Sequence, residues 1–582
     1  MANTALTHVN LDVSLTNLTD EFYASQYTIQ VGFKDIQNVK ASDPDGQISP
    51  KITSTSKGET VELVFNKRVV GKGNKLNFNL AFDTNEVAES SGDVWEINIP
   101  GISNQSDFSS FNVVVFYPGF LGSPAFIKPD TGNQLGRTAG NRLSFSKGDL
   151  GLSGISIAFG KFQTYSFNLT YHLQNKNLFP IQTEIALPPS TNYQDIELDD
   201  LSPRPTNVTL DNDGNWLAQY VLKPSQDVKV VAAGKARIYL EPKGDKNTKD
   251  SGAIASYLSP ERYWETQDPK IVALSSRLKT AKDIYQYVVD NLSYDYSRVS
   301  SGKPREGAAA VVNDPTSAVC LEFSDLFVTL ARASGIPARE IDGFANTKNT
   351  VERPLSLVKD VLHAWPEYFD KTRNEWIMVD PTWGNTTNGI DYFNTLDFDH
   401  FAFTVKGKDS NYPVPAGGYK RSSDLSTKDV DVVVAQGFSG NDKESLTLII
   451  PKRVLPWIPI HGTARIQNVG SSISSPQTLN ISAKELIADK KTVSVPQIPP
   501  FGFIDVPLDF KSPSFLTNTN DTITIGYGKN SLKQEILISP FVFNNFYGGI
   551  LVFVFVTIVS IITARSGRVH IPWRVKGNTL RR

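Results

Sequence analysis

The chain has 582 residues, with 58 basic and 60 acidic side chains and a formal net charge of -2, so no overall electrostatic pull draws it to nucleic acid. A single hydrophobic core stops growing at roughly 250 to 300 residues, so several domains are expected, and with 40% hydrophobic and 20% charged residues most of the chain should fold. One cysteine excludes an intramolecular disulfide and leaves a single thiol to account for.

Residues 1–105 read as strands separated by polar turns. In the run Leu76 to Phe82 large apolar groups recur at every second position, which places them on one face of a sheet, and a β-sandwich domain is expected. A second β-rich domain follows over 106–247. It contains a hairpin signal, Val208 to Leu210 and Trp216 to Val221 around Asp213-Gly214, because Asp-Gly supplies the backbone angles of a tight turn. Asp211 to Gly214 lacks the later ligand spacing and distant Glu of a calcium loop and is read as a turn.

The charged segment Glu241 to Gly252 reads as a linker. Beyond it, over 253–408, the pattern becomes α+β. Ala281, Ile284, Tyr285 and Val288 fall at helical spacing, and a second helix is expected from Cys320 to Ser334, with Phe323, Leu326, Phe327 and Leu330 on one face. Gly335 and Pro337 end it. Two strands, starting at His363 and at Glu375, are separated by a turn through Asp370 to Asn374.

A Pro/Gly/Ser-rich connector, Ser410 to Gly418, leads to an expected immunoglobulin-like sandwich over 429–540. Residues 546–564 are uncharged and mostly apolar. At about 1.5 Å per residue they are long enough for a transmembrane helix. Arg565, Arg568, Arg574, Lys576, Arg581 and Arg582 follow with no acidic residue, so 565–582 is expected to be a cytoplasmic tail and the large N-terminal region extracytoplasmic, in a single-pass membrane protein. Such a topology calls for a signal peptide. Met1 to Asp20 has no basic n-region or apolar h-region, so a trimmed start is expected.

The chemistry centres on Cys320. A helix N-terminus favours thiolate over thiol, whereas a lone cysteine elsewhere is usually an inert core residue. Adjacent antiparallel strands would bring His363 and Asp380 together, and a carboxylate bound to an imidazole fixes its tautomer and supports its cation. The other histidines, His8, His172, His400, His461 and His570, have no comparable setting in the sequence, although His400 lies close enough in sequence to serve as a check. There is no clustered Cys/His set for zinc, no His-Glu-x-x-His and no phosphate-binding glycine motif. No cofactor or metal is implied.

The segments Val319-Cys320-Leu-Glu-Phe-Ser-Asp to Arg339, His363-Ala-Trp365 and Asp380-Pro-Thr382 together resemble the transglutaminase-like superfamily. The resemblance covers about 60 residues and extends back through the helix near Ala281. It implies a papain-like α+β fold with Cys320 as nucleophile, His363 as general base and acid, and Asp380 orienting His363. Ala318 stands where many members have glycine. The oxyanion would be held by the Cys320 N–H and an upstream side chain, with Tyr294 and Tyr296 as candidates.

The expected protein is therefore multidomain and mainly β, with one α+β transglutaminase-like domain and one C-terminal transmembrane helix. It would act on peptide or protein amide bonds through a thioester, either by hydrolysis (peptidase or amidase), which is favoured, or by transamidation. The alternative is a non-catalytic surface adhesion or scaffold protein whose papain-like domain is a binding module.

Overall fold

In the computed structural model the alternating run at Leu76 to Phe82 lies within a strand of 17 residues, Lys75–Ser91. The structure describes the chain except residues 1–2, 56–57, 103, 129–140, 151–153, 245–253, 301–302, 348–352, 356–359, 361, 388–389, 395, 421–426, 512, 515–516, 541–544 and 567–582. At about 3.3 Å per residue the long strand reaches about 55 Å, enough to serve two cores. Its first half buries Leu76, Phe78, Leu80 and Phe82 with Val61 and Leu63 of a three-stranded sheet, while Val87 near its end packs with Ile97, Ile155 and Ile157. The sheet built on this strand also takes in Val94–Ile99, Ile155–Phe159 and Phe126–Lys128. Strands from both sides of residue 105 thus share one sheet.

A sandwich follows. One sheet holds Gln194–Ser202, Asp227–Tyr239 and Phe162–Gln174, and the other Ile181–Leu187, Trp216–Leu222 and Asn207–Leu210. The hairpin pairs Leu210 with Trp216 across the Asp-Gly turn. Val430–Ala435, grouped above with the last block, instead adds to this first sheet by pairing with Phe162–Gln174.

The α+β region packs the helix Cys320–Ala333 on an antiparallel four-stranded sheet in the order Glu375–Met378, Leu362–Asp370, Ala338–Ala345, His400–Lys406. A buried ionic network binds helix to sheet: Arg305 pairs with Asp325 of the helix and Glu340 of the sheet, and Lys406 with Glu340 and Asp342. Removing one partner of such a set leaves an uncompensated buried charge.

His400–Lys406 is an edge strand, yet it is buried along its whole length. Two amides from the preceding sandwich replace the missing strand. Gln194 donates to the Ala402 carbonyl (2.8 Å) and accepts from its N–H (2.9 Å). Asn215 does the same at Val405 (2.7 and 2.8 Å). The Asp211 to Gly214 turn continues the contact, Asp213 accepting from the N–H groups of Gly407 and Lys408.

All of this lies in one compact unit, Met1–Asn441. The second, Asp442–Arg582, contains a three-stranded and a five-stranded sheet around a core that includes Ile466, Leu479, Ile523, Ile525 and Tyr527. It ends in a helix, Asn545–Ser566. Among the described residues no helix is long and apolar enough to cross a membrane. The expected transmembrane helix over 546–564 therefore finds no support in the structure. Most of the expected basic tail lies outside the described residues.

Gln194→Ala strands the N–H and carbonyl of Ala402, each at about 1–3 kcal/mol, and is expected to move the urea unfolding transition of the protein to lower denaturant. An unchanged transition would show that the amide pairing does not hold the edge strand.

Candidate active site

Cys320 opens its helix. The preceding residue, Val319, has no side-chain oxygen with which to cap it, so the helix start is held another way. Glu322 reaches back to the Val319 N–H (3.1 Å), and its other oxygen accepts from the Glu306 N–H (3.0 Å) and Arg298 (3.2 Å). Upstream, the Asp295 N–H donates to the Ala318 carbonyl (2.8 Å), and Tyr294 bridges Ala318 in parallel. The chain carrying Tyr294 is thereby fastened beside Cys320.

His363 sits on the strand Leu362–Asp370, one residue from its start. Its ring stacks on Trp383 (centroids 5.0 Å, 20° between planes) and lies near Trp365 of the same strand face (5.9 Å, 25°). Aromatic faces favour an imidazolium. Opposite His363 on the next strand is Gly343. A Cβ there would come within 2.2 Å of the Phe401 carbonyl oxygen and 2.7 Å of the Trp365 ring, so the close packing behind the histidine requires glycine.

Asp380 is placed differently from expectation. The strand Glu375–Met378 ends two residues before it, and Asp380 caps the short helix Pro381–Thr386, its Oδ1 accepting from the Trp383 N–H (3.0 Å). Pro381 has no N–H for a ladder, and its fixed φ suits a first helical turn. Asp380 Oδ2 meets His363 Nε2 at 2.9 Å. The other ring nitrogen, Nδ1, is buried and makes no hydrogen bond. The Cys320 thiol is among the groups that favour a proton on this ring. Cys320, His363 and Asp380 are all buried.

A residue that the sequence reading set aside completes the cluster. His400 Nε2 lies 3.2 Å from the same Asp380 oxygen, and its Nδ1 is 2.7 Å from Asp397 Oδ1. The spacing Asp397-x-x-His400 was the available signal, but nothing local indicated that an edge strand would deliver it to Asp380. Burial opposes charge on both imidazoles, yet neighbouring carboxylates win: Asp380 raises His363 to about 9, and Asp397 with Asp380 raises His400 to about 9. Burial would likewise push Asp380 up, but the charge and hydrogen bonds of the two histidines hold it well below the usual carboxylate range. The ligand atoms of His363, Asp380 and His400 lie within 4.8 Å of one another, close enough for an ion. Metal ligation needs neutral imidazoles, whereas here both rings bring Nε2 to the same Asp380 oxygen, at 2.9 and 3.2 Å. The donor set suits shared protons.

Of the two oxyanion candidates, Tyr294 is buried with its hydroxyl unpartnered and feels the charge of Cys320, which together with burial raises it well above an ordinary phenol. Tyr296 packs edge-on to Tyr294 (4.9 Å) but is half exposed. Another group comes from the N-terminal sheet. Lys128 is buried, its Nζ lies 3.4 Å from the centroid of the Tyr392 ring, and burial lowers it to about 8 against the pull of Asp397. Tyr392 in turn packs edge-on to Trp383 (5.8 Å), and its carbonyl accepts from the Asp380 N–H (3.0 Å).

Residues 267–381 match the family described as the transglutaminase-like superfamily. Among solved structures, the protein is similar to a candidate cysteine protease from Cytophaga hutchinsonii, at 16% identity over 47% of this chain and 99% of that one, with a TM-score of 0.30. It is also similar to red sea bream transglutaminase, at 10% identity over 64% of this chain and 80% of that one, with a TM-score of 0.18. A CARDB domain from Pyrococcus furiosus matches 17% of this chain and 94% of its own at 9% identity, with a TM-score of 0.15. No curated protein matches the chain.

Because both imidazoles are raised from 6.5 to about 9 in the folded state, their protonation stabilises the fold fully below about pH 6.5, and that contribution is lost as pH rises through about 9. Melting temperature is therefore expected to fall across this window in the wild type. The fall should be shallower in Asp380→Asn, where His363 loses its anion; parallel curves would contradict the assigned charges.

Proposed function

Because residues 267–381 form a transglutaminase-like domain, we propose that this protein is a cysteine enzyme that cleaves amide bonds of peptide or protein substrates through a thioester on Cys320. The observation that carries this reading is the buried pair of His363 Nε2 and Asp380 Oδ2 at 2.9 Å, with the Cys320 thiol among the groups that favour a proton on the same ring. A single imidazole can then pass a proton between thiol and substrate while its cation is held by a buried carboxylate.

In the first step the sulfur attacks the amide carbonyl carbon, with the thiol proton on His363. The tetrahedral oxyanion is met by the Cys320 N–H and the unpartnered hydroxyl of Tyr294. The C–N bond breaks, the amine leaves with the proton from His363, and a thioester remains. In the second step a water or an amine, deprotonated by His363, attacks the thioester and returns the thiol. Hydrolysis is the favoured outcome, since bulk water competes for the acyl group unless a site excludes it. Transamidation differs only in the acceptor.

An extracytoplasmic location and a membrane anchor over 546–564 belong to the same proposal. They rest on the uncharged apolar run and the basic residues after it. The competing reading, a surface protein using this domain to bind partners, is favoured by one observation: Cys320 exposes no surface, so a substrate reaches it only if neighbouring groups move.

Cys320 is the sole thiol, which makes its alkylation an unambiguous readout. Iodoacetamide is expected to label the full-length wild type at pH 6.5 at least about tenfold faster than His363→Ala. If both label alike, and only towards the ordinary thiol range of about 8.5, the binding-module reading takes its place.

A further inference from the structure

The thiol chemistry just described needs one imidazole, yet the buried cluster holds two on a single carboxylate oxygen. His363 and His400 approach Asp380 Oδ2 at 2.9 and 3.2 Å, with ring centroids 5.7 Å apart. His400 is bound on its other side as well, by Asp397 at 2.7 Å. The result is an alternating chain, His363, Asp380, His400, Asp397, buried from end to end. We propose that His400 is a positioning residue that divides the charge of Asp380 between two imidazoles, so that His363 stays weak enough as a base to give up its proton to the departing amine. This rests on the catalytic reading above.

The physical reason is that one carboxylate carries one charge. Paired with Asp380 alone in a water-free pocket, His363 would hold its proton tightly, whereas a general acid works best when its pKa lies near the working pH. A second cation on the same oxygen, less than 6 Å away, weakens the attraction and adds repulsion, and like charges disfavour one another's charged forms. Asp397 keeps that second cation in place, since burial works against charge on His400 and Asp397 outweighs it. The charged groups around His400 are Asp380 at the helix start, His363 two strands away in the same sheet and Asp397 before its own strand. Beyond Asp397 come Lys128 of the N-terminal sheet and Arg353. Asp399 and Glu96 follow, Asp399 feeling Asp397, Glu96 and Arg353.

A purely structural role predicts something else. His400 packs edge-on to Trp365 (4.9 Å) and against Trp383 (4.6 Å), and if packing were its purpose, a phenyl ring would serve. The test follows the rate of Cys320 alkylation by iodoacetamide against pH in the full-length protein. A thiol paired with an imidazolium gives a profile with an upper inflection where the imidazolium loses its proton, expected near 9 for His363 in the wild type. His400→Gln and His400→Phe should both move that inflection up by about one pH unit or more, with circular dichroism unchanged. An inflection that stays in place or moves down in a folded variant overturns the proposal. If neither variant folds, imidazole 15N spectra of the wild type decide. Two imidazoles still cationic at pH 8 support the shared carboxylate, and fewer than two overturn it. A wild-type profile with no upper inflection overturns the catalytic reading itself, which is distinct from an inflection that is present and indifferent to residue 400.

Discussion

A carboxylate buried away from water must be fully bonded or it will not stay charged, and the architecture around the site follows from meeting that demand at Asp380. Its two oxygens receive the Trp383 N–H, His363 and His400, three donors from three elements. The donor strand for His363, the short helix that Asp380 caps and the edge strand of His400 must all converge within a few ångströms. Gly343 behind His363 and the stacked Trp383 are consequences of that crowding.

The same demand explains why the β regions upstream are part of the site. The strand bearing His400 lies at the edge of its sheet, where unpaired N–H and C=O groups are a liability. Gln194 and Asn215 mimic a neighbouring strand and close that edge. Farther out, Lys128 of the N-terminal sheet lies over Tyr392, whose carbonyl binds the Asp380 N–H. The α+β region alone would leave both the edge strand and this aromatic wall without their partners.

Electrostatically the site is a row of alternating charges, and a row of this kind tunes as well as stabilises. Each imidazole is raised by its carboxylates, and Asp380 is lowered by both imidazoles. Cys320 beside this row is fully enclosed, so access to it must come from motion of the surrounding groups.

Much of this was legible in the residues. Cys320 at a helix start followed by a helical apolar stripe and His363 beside Trp365 carry their local geometry in the sequence, because helix starts and strand alternation act over a few residues, whereas Asp380, expected on the strand from Glu375, caps a short helix instead. The hairpin at Asp213-Gly214 is of the same kind. What the sequence did not reveal depends on contacts far apart along the chain. His400 offered only its closeness in sequence, and it took an edge strand to lay it against Asp380. Gln194, Asn215 and Lys128, some 200 residues or more from the groups they serve, carry no local signal at all. Short-range propensity set each element, and only packing in three dimensions decided which charges would be buried together.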